Sequence, residues 1–274
     1  MLESRAAMLA QRSLKAESEA LGMELAIACL ELALLEGKDT PGEVRAVCAR
    51  GAAPAPGAPH VAAVCTYPSL VPIARDALAG TSVRLAAVAA VAAAFPIGLS
   101  PFEGKLREAR AALAAGADEI DLVVDRGAFL AGRYDDVRYE ISAVREACGG
   151  STLKVILEAG ELGSYAAIRR ACDIALESGA DFLETATGEC AASSTPPIAL
   201  LMCQALRAHA HRTGRAAGLK ITGGIGTAEL ALGYLAIVNE TLGAQWLRPE
   251  RLRIGGRSLL GALLLRQRPH AARA

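Results

Sequence analysis

One regularity restricts the fold of this chain more than any other: from residue 60 onward, short apolar runs of strand length alternate with longer helical stretches. The runs are His60–Cys65, part of Val83–Phe95, Glu119–Val124, Thr152–Glu158, Asp181–Thr185, Gly218–Thr222 and Leu252–Gly255. Between them, Ile168, Ala171, Cys172, Ala175 and Leu176 follow the i, i+3, i+4, i+7, i+8 spacing of one helix face, and Ile198, Leu201, Met202, Ala205 and Leu206 repeat it. An internal echo marks the repeat: Gly116-Ala117-Asp118 and Gly179-Ala180-Asp181, 63 residues apart, each close a helical stretch and open a strand. Glycine just past a helix suits the left-handed residue that ends it. Near-continuous apolar strands joined by helices imply a parallel sheet. The seven runs, with an eighth inside Leu25–Leu35, predict an α/β fold, a single closed (β/α)8 TIM barrel with an extra helical N-terminal segment. A doubly wound open sheet is the competing arrangement, and its G-x-G-x-x-G signature is missing. The connector Gly51–Pro59 divides the chain into residues 1–59 (helical segment and first strand), residues 60–266 (the remaining barrel) and a polar tail, 267–274.

Composition narrows the function classes. The 29 basic and 29 acidic residues cancel, so the basic surplus of a nucleic-acid binder is absent and no nucleic-acid partner is expected. No membrane association is expected either. A span needs about 20 apolar residues in a row, whereas the best stretch, Leu85–Leu99, is mostly alanine and contains Pro96 and Gly98. The opening MLESRAAMLAQR lacks the apolar core of a secretory signal, and the seven scattered cysteines form no C-x-x-C pair. Buried reduced thiols in a cytoplasmic protein are the expectation. His209 and His211, two apart, point to different sides of a helix, so no zinc site is expected. His60 and His270 are read as connector or surface residues, and Trp246 and Tyr234 as packing residues.

Lysine is scarce: five among the 29 basic residues. Lys15, Lys38 and Lys105 stand in polar surroundings. Lys154 (STLKVILE) and Lys220 (AGLKITGG) stand inside strand-like apolar runs, where a lysine is costly. In a barrel the site lies at the C-terminal ends of the strands, and the period of two sorts the inward candidates. Asp121 alternates with apolar neighbours; Lys154 shares a face with Ile156 and Glu158, Glu184 with Phe182, and Lys220 with Thr222. Two readings fit: an internal ion-pair network among Asp121, Lys154, Glu158, Glu184 and Lys220, or a ligand site. Buried charges must meet each other or a ligand. A second group follows three strands: Thr187-Gly188, Gly223-Gly224 and Gly255-Gly256-Arg257-Ser258. Backbone N–H groups at such turns, with a helix start behind them, can cradle a phosphate.

CTYPSLVPIAR (65–75), the Phe95-Pro96 step, GADEIDLVV (116–124), LKVILEAGEL (153–162), GADFLETATG (179–188), LKITGGIGT (219–227) and RIGGRSLL (253–260) together resemble the 2-deoxyribose-5-phosphate aldolases, in order, over roughly residues 60–265. The resemblance implies a cytoplasmic class I aldolase that needs neither metal nor cofactor. Such enzymes cleave deoxyribose 5-phosphate to glyceraldehyde 3-phosphate and acetaldehyde. It implies a Schiff-base lysine on strand six, a second lysine on strand seven and a proton-transferring aspartate on strand four. Asp121, Lys220, Cys65 and Lys154 match family positions. The motif F-[IV]-K-T-S-T-G, however, reads Phe182-Leu183-Glu184-Thr185-Ala186-Thr187-Gly188, so Glu184 stands where the nucleophile belongs. The phosphate-side lysine is Glu189, the arginine after the strand-seven glycines is Gly226, the asparagine before Phe-Pro is Ala94, and the paired serines read Arg257-Ser258.

A carboxylate cannot form an imine, and opposite Lys220 it favours the protonated amine, the wrong state for a nucleophile. One charge at ~4 Å is worth about 4 kcal/mol at an effective dielectric near 20, so exchanging cations for an anion weakens a phosphate site, with Arg257 offering partial replacement. Three readings follow. The chain is a catalytically impaired barrel that binds a small phosphorylated sugar or aldehyde, or supports an active aldolase subunit in a homo- or hetero-oligomer. It is an active lyase using Lys220 or Lys154 as the amine. Or it is a structural barrel with internal pairs only.

Overall fold

The computed structural model describes residues 1–11, 16–89, 101–188 and 194–267. Lys15, Ala94, the Phe95-Pro96 step, Glu189, Cys190 and the tail from residue 268, His270 included, lie outside them. Eight parallel strands close in chain order: β1 (Leu30–Leu34), β2 (Ala63–Thr66), β3 (Arg84–Ala89), β4 (Glu119–Val123), β5 (Thr152–Ile156), β6 (Phe182–Glu184), β7 (Gly218–Thr222) and β8 (Leu252–Gly255), which pairs back onto β1. The helices are α1 (Leu2–Ala10), α2 (Ala16–Ala28), α3 (Pro41–Ala52), α4 (Val71–Ala77), α5 (Phe102–Ala114), α6 (Arg126–Leu130), α7 (Tyr134–Cys148), α8 (Tyr165–Glu177), α9 (Pro196–Thr213), α10 (Ala228–Leu242) and α11 (Leu259–Gln267). The fold is the expected (β/α)8 barrel, and the strand expected inside the stretch Leu25–Leu35 is β1.

Strands and helices start where local chemistry starts them. Threonine hydroxyls cap three helices: Thr40, Thr195 and Thr227 accept from the third residue of α3, α9 and α10, each contact typically worth about 1 kcal/mol. The stripe read for α8 buries Ile168, Ala171, Cys172, Ala175 and Leu176. The six described cysteines are buried and free.

The Gly-Ala-Asp echo is a repeated clamp at the N-terminal rim of the barrel. Gly116 and Gly179 adopt φ of 104° and 100°, a region that an L side chain resists. The turn then delivers an aspartate to the start of the neighbouring strand: Asp118 accepts the Leu85 N–H at 2.8 Å, and Asp181 accepts the Leu153 N–H at 2.9 Å. Each also pairs with an arginine from an earlier helix, Arg75 of α4 and Arg145 of α7. A Cβ on Gly179 would lie 2.8 Å from Arg145 Cγ, so the glycine also admits the clamp.

The N-terminal segment is bound to the barrel. Helix α1 packs on α9 and α10, burying Ala6 and Leu9. The approach is close enough that a Cβ on Gly233 of α10 would fall 2.9 Å from the Ala10 carbonyl oxygen.

Two expectations need correction. Lys105 does not sit in polar surroundings: it is fully buried, donates to the Val123 carbonyl at 2.9 Å and pairs with Glu140 of α7. Burial pushes the Glu140 carboxyl above its ordinary range despite Lys105. Lys105 shares the buried stripe of α5 with Ala109 and Ala112. Replacing it with methionine strands that carboxyl, and we expect a loss of about 3–5 kcal/mol in urea unfolding. The second correction concerns β5, which ends at Ile156 and not at Glu158. Glu158 turns the chain with φ 50°, the one non-glycine residue with positive φ among those described, and so leaves the inward face.

Candidate active site

Parallel register brings the charged residues together. Asp121 on β4 is level with Lys154 on β5, and Glu184 on β6 with Lys220 on β7. Residues level on neighbouring strands share a face, so all four side chains enter the barrel. Three further residues join them: Glu31 from β1, Glu119 from β4 and Arg253 from β8. None of the three was among the expected site residues, although Glu119 is two residues before Asp121 and therefore on its face. All seven are at most 4% exposed.

The contacts form one network. Lys220 Nζ lies 2.5 Å from Glu31, 2.6 Å from Asp121 and 3.0 Å from Glu184. Lys154 Nζ lies 2.7 Å from both Glu119 and Asp121 and 3.2 Å from Glu31. Arg253 reaches Glu119 at 2.9 Å and Glu31 at 3.3 Å, with its guanidinium 5.6 Å from the centre of the Phe182 ring. Gly218 makes room for that ring, since a Cβ there would be 2.4 Å from it. Beside the ionic network, Cys65, Ala86 and Val88 form a small apolar cluster. The Cys65 thiol donates to Asp121 at 3.6 Å; burial and the Asp121 charge hold its pKa well above the ordinary value, so it is not a reactive thiolate.

Four buried carboxyls face three buried cations, with the half-exposed Arg84 3.6 Å from Glu119. Glu184 is the carboxyl that burial most favours in the protonated form. Burial, opposed by Lys220 and reinforced by Asp121 and Glu31, pushes its pKa up to about 8. Its Oε1 accepts from Thr222 at 3.1 Å, while its Oε2 has no partner among the described residues. Burial disfavours charge on Lys220 and Lys154 as well, but the surrounding carboxylates outweigh it and raise both above the ordinary lysine value. Lys220 stays protonated with Glu184 neutral, because Glu31 and Asp121 hold it on their own. Glu31 is driven down by Lys154, Lys220 and Arg253 in spite of burial.

This predicts a pH signature. The Glu184 carboxyl binds its proton more tightly in the folded chain (pKa about 8) than at its ordinary value of 4.5. Its stabilising share is therefore complete below about pH 4.5, falls as pH rises toward 8, and is constant above. Glutamine mimics the protonated carboxyl and cannot ionise. The melting temperature of Glu184→Gln, compared with the parent by calorimetry, is expected to gain several degrees between pH 5 and pH 8.

The other expected residues lie at the mouth. Thr187, Gly188, Gly223, Gly224, Gly255, Gly256, Arg257 and Ser258 line a cavity of about 360 Å³, with Thr222, Gly226 and Glu36 among its neighbours. Gly255 is required there, because a Cβ would sit 2.5 Å from Thr222 Oγ1. Glu158, expected in the ionic network, instead accepts from the Thr187 N–H at 3.0 Å and the Thr187 hydroxyl at 2.7 Å. Arg257 does not stand free as a replacement phosphate cation: it pairs with Asp39 at 2.9 Å, Glu36 at 3.6 Å and Glu43 at 3.7 Å.

A metal has weak claim on this interior. Glu31, Cys65 and Asp121 offer ligand atoms within 4.8 Å of one another, but the Lys220 ammonium already sits between the two carboxylates. His209 is buried with no hydrogen-bond partner on either ring nitrogen among the described residues, and joins no such group. No helix among the described residues is long and apolar enough to cross a membrane.

Inward lysines on β5 and β7 and an aspartate on β4, gathered inside a closed parallel barrel, are what the resemblance to the aldolases implies. The profile described as DeoC/LacD family aldolase matches residues 31–265. The chain is 38% identical to the deoxyribose-phosphate aldolase of Mus musculus, over 92% of its own length and 82% of that protein, and 37% identical to the one of Homo sapiens with the same coverage. An apo crystal structure from Toxoplasma gondii ME49, provisionally assigned as a deoxyribose-phosphate aldolase, superposes with a TM-score of 0.80 at 30% identity, covering 91% of this chain and 97% of that one. The chain belongs to the DeoC/LacD aldolase family.

Proposed function

We propose that this barrel binds a small carbonyl compound or sugar at its mouth without forming an imine with it, and so serves as a ligand-binding or supporting member of its family. The observation that carries this is the setting of Lys220: three carboxyls within 3.0 Å of one ammonium. Imine formation needs the nitrogen lone pair. The neutral amine adds to the carbonyl carbon, and water leaves. An ammonium has no lone pair to offer, and Lys154 is in the same state, fully buried among Glu31, Glu119 and Asp121. Glu184 cannot replace either, having no nitrogen.

The test uses the full chain incubated with 2-deoxyribose 5-phosphate, or with acetaldehyde, plus borohydride, and reads the intact mass. An unchanged mass is expected. A reduced adduct mapped to Lys220 or Lys154 would overturn the reading in favour of an active lyase. Constant co-purification with a second aldolase chain would favour the supporting role over an independent one.

A further inference from the structure

The mouth carries an internal anion where a charged ligand group would otherwise go. Arg257 is the one basic residue among the described residues lining the 360 Å³ cavity, a volume suited to a small molecule. Its guanidinium is occupied by Asp39, whose side chain is fully buried, with Glu36 and Glu43 completing the ring. Asp39 is itself fixed, since its second oxygen accepts the Glu36 N–H at 2.8 Å. Lys38 is turned to Glu36 at 2.8 Å. Around Arg257 and Lys38 there are thus three carboxylates to two cations, and a phosphate seeking Arg257 would have to displace Asp39. Uncharged hydroxyls meet no such obstacle. Thr222 and Ser258 line the same cavity, and Glu184, bonded to Thr222, keeps one oxygen without a partner among the described residues.

We propose that the mouth selects an unphosphorylated sugar or sugar-like aldehyde, with Asp39 as the residue that excludes a phosphate by holding its place on Arg257. This rests on the imine-free reading only in that the ligand stays non-covalent. Its test is separate: isothermal titration of the full chain with 2-deoxyribose, 2-deoxyribose 5-phosphate and inorganic phosphate, with no reductant. The unphosphorylated sugar is expected to bind at least as tightly as its 5-phosphate, and inorganic phosphate to leave that binding unchanged. Asp39→Asn keeps an acceptor for the Glu36 N–H and removes the charge. It should raise affinity for the 5-phosphate roughly fivefold relative to the free sugar, and adding Arg257→Gln should abolish that gain. Tighter binding of the phosphorylated sugar by the parent protein would overturn the proposal, as would an unchanged ratio in Asp39→Asn or no binding of 2-deoxyribose at all. A borohydride adduct would sink the imine-free reading while leaving this affinity ratio intact.

Discussion

Replacing Lys154 with methionine is expected to cost the barrel about 3–5 kcal/mol, a large share of the roughly 5–15 kcal/mol that keeps a domain folded. Methionine preserves most of the stem volume, so the loss is electrostatic. Lys154 is fully buried and touches Glu31, Glu119 and Asp121; Glu119 is shared with Arg253 and the half-exposed Arg84, Asp121 with Lys220, and Glu31 with both Lys220 and Arg253. Without it, three buried carboxylates are left with two buried cations, Lys220 and Arg253, and the half-exposed Arg84. At about 2–4 °C per kcal/mol for a chain of this size, melting should fall on the order of 10 °C by scanning calorimetry at pH 7. The deficit should shrink toward pH 5, because the stranded carboxyls then take up protons in the folded state more readily than in the unfolded chain. A melting point within two or three degrees of the parent, by about the same scale, would mean that the network is not what holds the interior together.

The second large effect concerns Glu184→Lys. Exchanging the acid for an amine leaves Glu31, Glu119 and Asp121 facing four buried cations in place of three, besides the half-exposed Arg84. The cheapest way for a buried cluster to restore balance is for one amine to lose its proton, and a neutral, desolvated amine beside other cations is a nucleophile. The new side chain is the natural candidate, since Lys220 keeps its contacts to Glu31 and Asp121. The expected outcome is a borohydride-trapped adduct at position 184 with acetaldehyde, against none in the parent. If the variant is folded and still traps nothing, the obstacle lies in the mouth and not in the protonation of the interior.

Much of this architecture was legible from residues. Apolar runs located all eight strands, and the Gly-Ala-Asp echo proved to be a physical repeat, a glycine turn delivering an aspartate to the adjoining strand. Glu184 enters the barrel beside Lys220, as alternation on β6 implies. What was missed has identifiable causes. Glu31 was hidden because the long apolar stretch around β1 showed no strand boundary from which to count alternation. Glu119 opens β4 and Arg253 is the second residue of β8; only barrel closure brings these two distant strands' side chains together. Lys105 was hidden by the polar residues beside it, and only its place on the buried face of α5 reveals it. The partners of Arg257 come from the β1–α3 loop and the first turn of α3, more than 200 residues earlier, a distance that no local spacing reports.

The clamps built on Gly116 and Gly179 sit where the chain enters the strands, away from the end where ligands enter. The work of keeping the chain folded and the work of recognising a molecule thus fall to different ends of each β-α unit. Residues at the ligand end can therefore change, as Arg257 with its carboxylate partners illustrates, while the entrance-side fastenings hold the strands in register.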